Sequence, residues 1–295
     1  MQTIKLTPKK VAQAIGVSES SMKRWCDRGL IDFQTTAGGH RRLSQVSVID
    51  FLRKGKHGLI KSELIGLPSG IRPHERDTES SHQEFLAAIV DGFEDEARKI
   101  LFEMFIGGNS IATIGDRIIG PAFAEIGRRW ECGELEVYRE RRACELTVQL
   151  LAELKPLLPV GNESSPLAIG GAPGRESYTL PTMLIEMLFR EAGWRAQSLG
   201  TLLPFSTLSA AVREQRPRLF WLSVSIIEDE TTFLQQYEQF SSSVSPETFV
   251  AVGGHAMRDE GIRQRMKFSA YGDNLLQLES LAKSLPTANA NVSNY

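Results

Sequence analysis

Leu167-Ala168-Ile169-Gly170-Gly171-Ala172 reads as a short apolar strand, Glu176-Ser177-Tyr178-Thr179 as the polar loop after it, and residues 180–192 as a helix stopped by Gly193. The same pattern repeats downstream. Further strands are predicted at 196–199, 219–224 and 248–252, with helices near 206–215 and 230–241 between them. Strand and helix alternating at this interval predict a doubly wound parallel sheet, whose ligands bind beyond the carboxyl ends of its strands. Tyr178, Ser223, Ser225 and the pair Gly253-Gly254 all fall at such ends, with His255 directly after the glycines. Two glycines after Phe249-Val250-Ala251-Val252 mark a turn, and they also let another group approach the strand end closely.

Upstream of this sheet, apolar residues recur at helical spacing. Phe85, Leu86, Ile89, Val90 and Phe93 form one stripe and Ala97, Ile100, Leu101, Met104 and Phe105 a second; residues 111–130 and 144–158 carry two more. Four helices of this size predict an antiparallel bundle. Gly107-Gly108-Asn109 and Cys132-Gly133 are its breaks, and Pro121 marks a helix start or a kink.

The first 62 residues hold 12 Lys and Arg against 4 Asp and Glu, whereas the remainder holds 22 against 32, so a net charge of −2 conceals a basic head on an acidic body. That split points to a polyanion as partner of the head. Thr7 caps a first helix with Pro8 at its first position and an apolar stripe of Val11, Ala12 and Ile15, closed by Gly16. Ser18 or Ser20 caps a second, which runs through Met22, Lys23, Arg24, Trp25 and Arg28 to Gly29. Two short helices across a tight turn, the second carrying Lys23, Arg24 and Arg28, make a helix-turn-helix whose second helix enters the major groove of double-stranded DNA. Residues 30–34 and 41–43 are predicted as two strands around Thr35-Thr36-Ala37-Gly38-Gly39-His40, a wing that sets His40, Arg41 and Arg42 beside that helix.

Residues 4–54, with their Arg-Trp-x-x-x-Gly-Leu-Ile and Gly-Gly-His-Arg-Arg-Leu stretches, resemble the winged head of the MerR superfamily. Residues 119–135 and the sheet domain resemble the corrin-capping bundle and the cobalamin-binding domain of CarH-type light-sensing repressors. In that family Asp/Glu-x-His-x-x-Gly, Ser-x-Leu and Gly-Gly surround the cofactor; here Glu176, Ser223, Gly253 and Gly254 are kept, while Tyr178 stands for the histidine and Pro181 for the glycine. The resemblance implies that Ser223 and the glycines keep open a slot into which the nucleotide tail slides. It also implies a Trp-x9-Glu-His motif above the corrin, matched by Trp130 and Glu140 but with Arg141 at the histidine. A phenol with a pKa near ~10 is a poor cobalt ligand at neutral pH, so the lower axial bond is not expected.

The fold class is therefore α plus α/β: a winged helix-turn-helix over 1–56, a linker over 57–80, a four-helix bundle over 81–160, a Rossmann-like domain over 164–285 and a disordered tail over 286–295. The expected function is a promoter-binding regulator whose pocket has left base-off cobalamin for another tetrapyrrole, a linear bilin such as biliverdin, or haem. Arg141 can pair with propionates and Tyr178 can hydrogen-bond a pyrrole, and Cys132 or Cys144 could attach a bilin. The alternatives are a cobalamin-dependent photoreceptor, an empty scaffold for protein interaction and, from a different class, a corrinoid methyltransferase; against the last stand the DNA-binding head and the lack of a metal-ligand cluster or nucleophile–base pair. One head makes few phosphate contacts, so a homo-oligomer, dimer or tetramer, is expected. Three cysteines without a CxxC pair argue against a disulfide framework or a zinc site, and the absence of a long apolar run or a signal core points to the cytoplasm and away from a membrane.

Overall fold

The computed structural model describes residues 4–55, 57–72, 76–174 and 177–285. The chain divides into two compact units, Met1–Leu158 and Pro159–Tyr295.

The first unit begins with β1 (Lys5–Leu6), α1 (Pro8–Ile15), α2 (Glu19–Asp27), β2 (Gln34–Thr35), β3 (Arg41–Ser44) and α3 (Gln45–Gly55). Each helix start is built as the sequence dictates. Thr7 Oγ1 accepts from Lys10 N at 3.2 Å and Ser18 Oγ from Ser21 N at 3.1 Å, while Gly16 closes α1 at φ 81°, a conformation costly for a side-chain-bearing residue. β3 lies between β1 and β2, both antiparallel to it. The first wing strand is shorter than expected, starting at Gln34 because Ile31 turns into the core and residues 32 and 33 do not pair.

Residues 57–72, expected as a linker, carry ordered packing. The His57 ring stacks on Phe51 at 4.4 Å and Ile60 N donates to Ala14 O at 2.7 Å. Gln45 Nε2 donates to Ile65 O at 3.0 Å and to Gly66 O at 3.1 Å. Leu59, Ile65, Leu67 and Ile71 are buried, so scattered apolar residues hold down a segment whose glycines and prolines suggest only a spacer.

The bundle follows as α4 (Thr78–Asp91), α5 (Glu94–Ile106), α6 (Ile111–Ile114), α7 (Gly120–Glu131) and α8 (Val137–Leu154). Between α6 and α7 the backbone passes through one π turn, Gly115–Ile119, rather than breaking. Pro121 offers no N–H to the preceding turn, and the wider turn takes up the mismatch.

The second unit is a five-stranded sheet, β4 (Leu167–Gly171), β5 (Arg195–Ser198), β6 (Leu219–Ser223), β7 (Phe249–Gly253) and β8 (Ala270–Gly272), with α9 (Leu180–Glu191), α10 (Phe205–Gln215), α11 (Glu230–Ser243), α12 (Glu260–Gln264) and α13 (Leu275–Ser284) interleaved. All its pairings are parallel, in the order β5-β4-β6-β7-β8. On one face Phe220, Leu222 and Val224 pack with Phe205, Leu208, Tyr237 and Phe240. The strand order reverses between β4 and β6, and this is where such sheets open a crevice. The expected tail, 286–295, lies outside the described residues.

Candidate functional site

On α2, Met22 and Cys26 turn into the core and leave Lys23 and Arg24 exposed, with Arg28 at the C-cap. Lys23 Nζ lies 2.7 Å from Glu19 Oε1, whose carboxyl is held below the usual range chiefly by that hydrogen bond. Arg24 Nη2 donates to Ser21 Oγ at 3.4 Å. The wing is tied to this helix: Arg41 Nη2 lies 2.6 Å from Asp27 Oδ1 and its guanidinium stands 5.5 Å from the Phe33 ring. Arg42 Nη1 donates to Arg41 O at 3.2 Å, and Thr36 N donates to His40 O at 2.9 Å, which closes the exposed wing tip around His40. The arrangement presents a helix of cations with a second cationic strand bonded to its C-terminus, which suits a phosphate backbone flanking a groove.

In the bundle, Trp130 stands near the end of α7 at 51% exposure, followed by exposed Glu131 and Cys132. Glu140 lies in the first turn of α8, part-buried, and Arg141 beside it is exposed with Nε 3.5 Å from Glu140 Oε2. Val137 and Tyr138, at the start of the same helix, are also exposed. Cys144 is half-buried, and desolvation pushes its thiol up from the ordinary range. Among the described residues no group of three or more His, Cys, Asp or Glu side chains is arranged to hold a metal ion.

At the sheet, the topology brings the predicted residues to neighbouring strand ends. Tyr178 is in the loop after β4, Ser223 closes β6 with Ser225 just beyond it, and Gly253 ends β7, paired in register with Ser223. Glu176 lies outside the described residues. His255 is exposed at the start of a single 3-10 turn, His255–Arg258. The glycine pair has a reason internal to the chain. A Cβ on Gly254, at φ 104°, would lie 2.3 Å from Val224 O, and one on Gly253 would lie 2.8 Å from Gly272 O. Val224 N donates to Gly253 O at 2.8 Å and Ala256 N to Val224 O at 3.1 Å, so the glycines seat backbone against backbone at this strand end.

Three residues that sequence alone does not mark also stand at these strand ends or beside them. Leu202 and Ile226, 56% and 55% exposed, sit in the loops after β5 and β6, on either side of β4 in strand order. Leu202 also holds φ 59°, a left-handed conformation that costs a leucine roughly 1 kcal/mol or more. Its loop is stitched to that of β4 by Leu203 N to Ala172 O at 3.2 Å and Gly174 N to Leu203 O at 3.1 Å. The third is Trp221 in β6, 1% exposed, whose Nε1 donates to Thr182 Oγ1 at 3.0 Å. A tryptophan two places before Ser223 is its only trace in the sequence, because its partner glycine lies on another strand.

Comparison with known proteins gives each part a counterpart. Residues 6–56 match the family model described as a helix-turn-helix domain and residues 82–155 that of the B12 binding domain. The HTH-type transcriptional repressor CarH of Myxococcus xanthus is 23% identical over 193 residues, 65% of this chain, and the chain spans 62% of that repressor's length. Among solved structures, the monomethylamine corrinoid protein of Methanosarcina barkeri aligns with a TM-score of 0.59 at 13% identity, over 71% of this chain and 100% of its own. A cobalamin-binding protein of Desulfitobacterium hafniense DCB-2 aligns over 71% of this chain and 98% of its own, with 16% identity and a TM-score of 0.37. The chain therefore joins a helix-turn-helix domain to a helical segment of the B12 binding domain type and a parallel sheet, in the fold of a corrinoid protein.

Proposed function

We propose that this chain is a DNA-binding transcription regulator, working in the cytoplasm as a homo-oligomer, whose corrinoid-protein-like region takes a tetrapyrrole other than base-off cobalamin: a linear bilin such as biliverdin, or haem. The head supports the first half. Cations on α2 and β3 are locked together through Arg41 and Asp27, and such a head gains affinity from phosphates and specificity from the few side chains that reach base edges. The strand ends of the sheet support the second. Exposed Leu202 and Ile226 flank the strand that carries the Tyr178 loop, an apolar rim that a flat, largely apolar ligand covers favourably at ~25 cal/mol per Å2.

The observation that carries the reading is the phenol of Tyr178 at the position of the expected cobalt ligand, on a fold otherwise shared with a corrinoid protein. Arg141, exposed, has the charge that pairs with a propionate, and Cys132, exposed, or Cys144, half-buried, is the thiol that would attach a bilin. Light or ligand then sets the oligomer and with it DNA affinity.

A cobalamin-dependent repressor is the second reading, and the match of residues 82–155 to the B12 binding domain favours it. An absorption spectrum of protein purified from cells that make haem and biliverdin separates the two. A Soret band, or red absorption that bleaches on illumination, supports the proposal; a corrin spectrum supports the second reading; a colourless protein contradicts both.

A further inference from the structure

Side chains of a strand alternate between faces. In β6, Phe220, Leu222 and Val224 enter the core shared with α10 and α11, which leaves Trp221 and Ser223 on the opposite face. That face is filled. The Trp221 indole stacks on Phe189 of α9 with centroids 5.8 Å apart and planes 15° apart, and its Nε1 is bonded to Thr182 of the same helix. Phe189 in turn meets Trp194 edge-on at 5.3 Å, and Trp194 Nε1 donates to Ala282 O of α13 at 3.3 Å. Neighbouring β4 makes room for the indole: a Cβ on Gly170 would lie 2.4 Å from Trp221 Cγ and Cδ2. Above it Ser223 is buried, and beyond Ser223 the Val224 backbone stands against Gly254.

A cobalamin tail that entered at Ser223, as the resemblance implies, would meet this filled face with its terminal base. That base is a fused five- and six-membered ring, and so is an indole. We propose that Trp221 is the chain's own occupant of the nucleotide slot. The region then accepts only tetrapyrroles without a nucleotide tail, held outside the carboxyl ends of β4, β6 and β7. The choice of ligand rests on the function proposed above; the closure of the slot does not. Residues here do not fit a base-off cobalamin, on two independent counts: the phenol at position 178 and the indole at position 221.

Two assays test this with the full chain. In the first, the protein is titrated with aquocobalamin and with cobinamide, its tail-free analogue, alongside haemin and biliverdin. No base-off cobalamin spectrum is expected, and cobinamide should bind at least about tenfold more tightly than cobalamin. Base-off cobalamin held as tightly as cobinamide would overturn the closure and favour the cobalamin-dependent reading over bilin or haem. In the second, Trp221→Ala is melted with and without millimolar 5,6-dimethylbenzimidazole. An apolar cavity of this shape takes up a matching ring, so Tm should rise by about 2–4 °C in the variant and not in the native chain. Trp221→Leu serves in the same assay where the alanine variant does not fold. A native chain that takes none of the four tetrapyrroles, with a variant that gains the base, sinks the proposed function and sustains the closed slot. A folded variant that ignores the base overturns the closure.

Discussion

The Arg53 guanidinium lies 4.0 Å from the centroid of the Phe105 ring, and its Nη2 donates to Asn109 O at 3.0 Å. Arg53 is in α3 of the head, Phe105 is fully buried in α5 of the bundle, and both belong to the first unit. The DNA-binding head is thus fastened to the helical segment by a cation over an aromatic face, with α3 packed on α5. A partly desolvated contact of this kind is worth about 2 kcal/mol. Arg53→Ala should lower unfolding stability by roughly that amount and speed amide exchange in α3 before α5. Equal exchange in native and variant protein would show that the contact does not hold the head.

Glu103 makes the second fastening. Its carboxylate, with 0% exposure, accepts from Arg72 N at 3.1 Å and from Arg76 Nε at 2.7 Å, and Arg76 Nη1 also meets Glu84 at 2.8 Å. The Arg76 guanidinium is raised further above its ordinary value by these two carboxylates, against desolvation, which is the largest single influence and works the other way. Removing the buried acceptor leaves Arg72 N and Arg76 Nε without it while Arg76 keeps Glu84, at a cost of roughly 1–3 kcal/mol. Glu103→Leu should show that loss in urea unfolding, and Glu103→Gln a smaller one because an acceptor remains.

For DNA, Arg28→Ala and Arg42→Ala should each weaken binding across sequences and reduce the slope of log K against log salt by about 0.9. Arg41 differs, since it is also bonded to Asp27. Its loss should lower the stability of the wing as well, visible as a lower Tm without DNA. Unchanged retardation by all three variants would remove the wing and helix from the interface.

Thiol chemistry sorts by burial. Cys132 is exposed, whereas desolvation raises the thiols of Cys144 and Cys26. A raised thiol pKa means less thiolate at neutral pH, so labelling of Cys144 and Cys26 should become appreciable only above the ordinary thiol range. Mass spectrometry after brief maleimide treatment at pH 7 should find Cys132 modified first. A bilin bound through that thiol should survive denaturation in the native chain and be released in Cys132→Ala.

Much of this was legible from residue order. Thr7, Pro8 and Gly16 delimit α1 because cap, fixed φ and left-handed glycine act locally, and the strand–helix alternation from Leu167 gave the parallel sheet in the same way. What stayed hidden depends on distant partners. β8, three residues long with no apolar run, exists because it pairs with β7. The packing of Leu59, Leu67 and Ile71 cannot be inferred from a stretch rich in glycine and proline. Trp221 reads as an ordinary strand residue until Gly170, on the neighbouring strand, shows how the indole is housed. In the candidate site the strand-end residues come from alternation, whereas the reason for Gly253 and Gly254 is the backbone beside them.

In the function proposed, the head's grip on DNA answers to a tetrapyrrole held by the corrinoid-like region. Fluorescence anisotropy of a labelled promoter duplex, titrated with pigment-loaded and pigment-free protein at one salt concentration, tests it most directly. The dissociation constants should differ by about tenfold or more, with a further change on illumination if the pigment is a bilin. Identical titrations from loaded and pigment-free protein would contradict it.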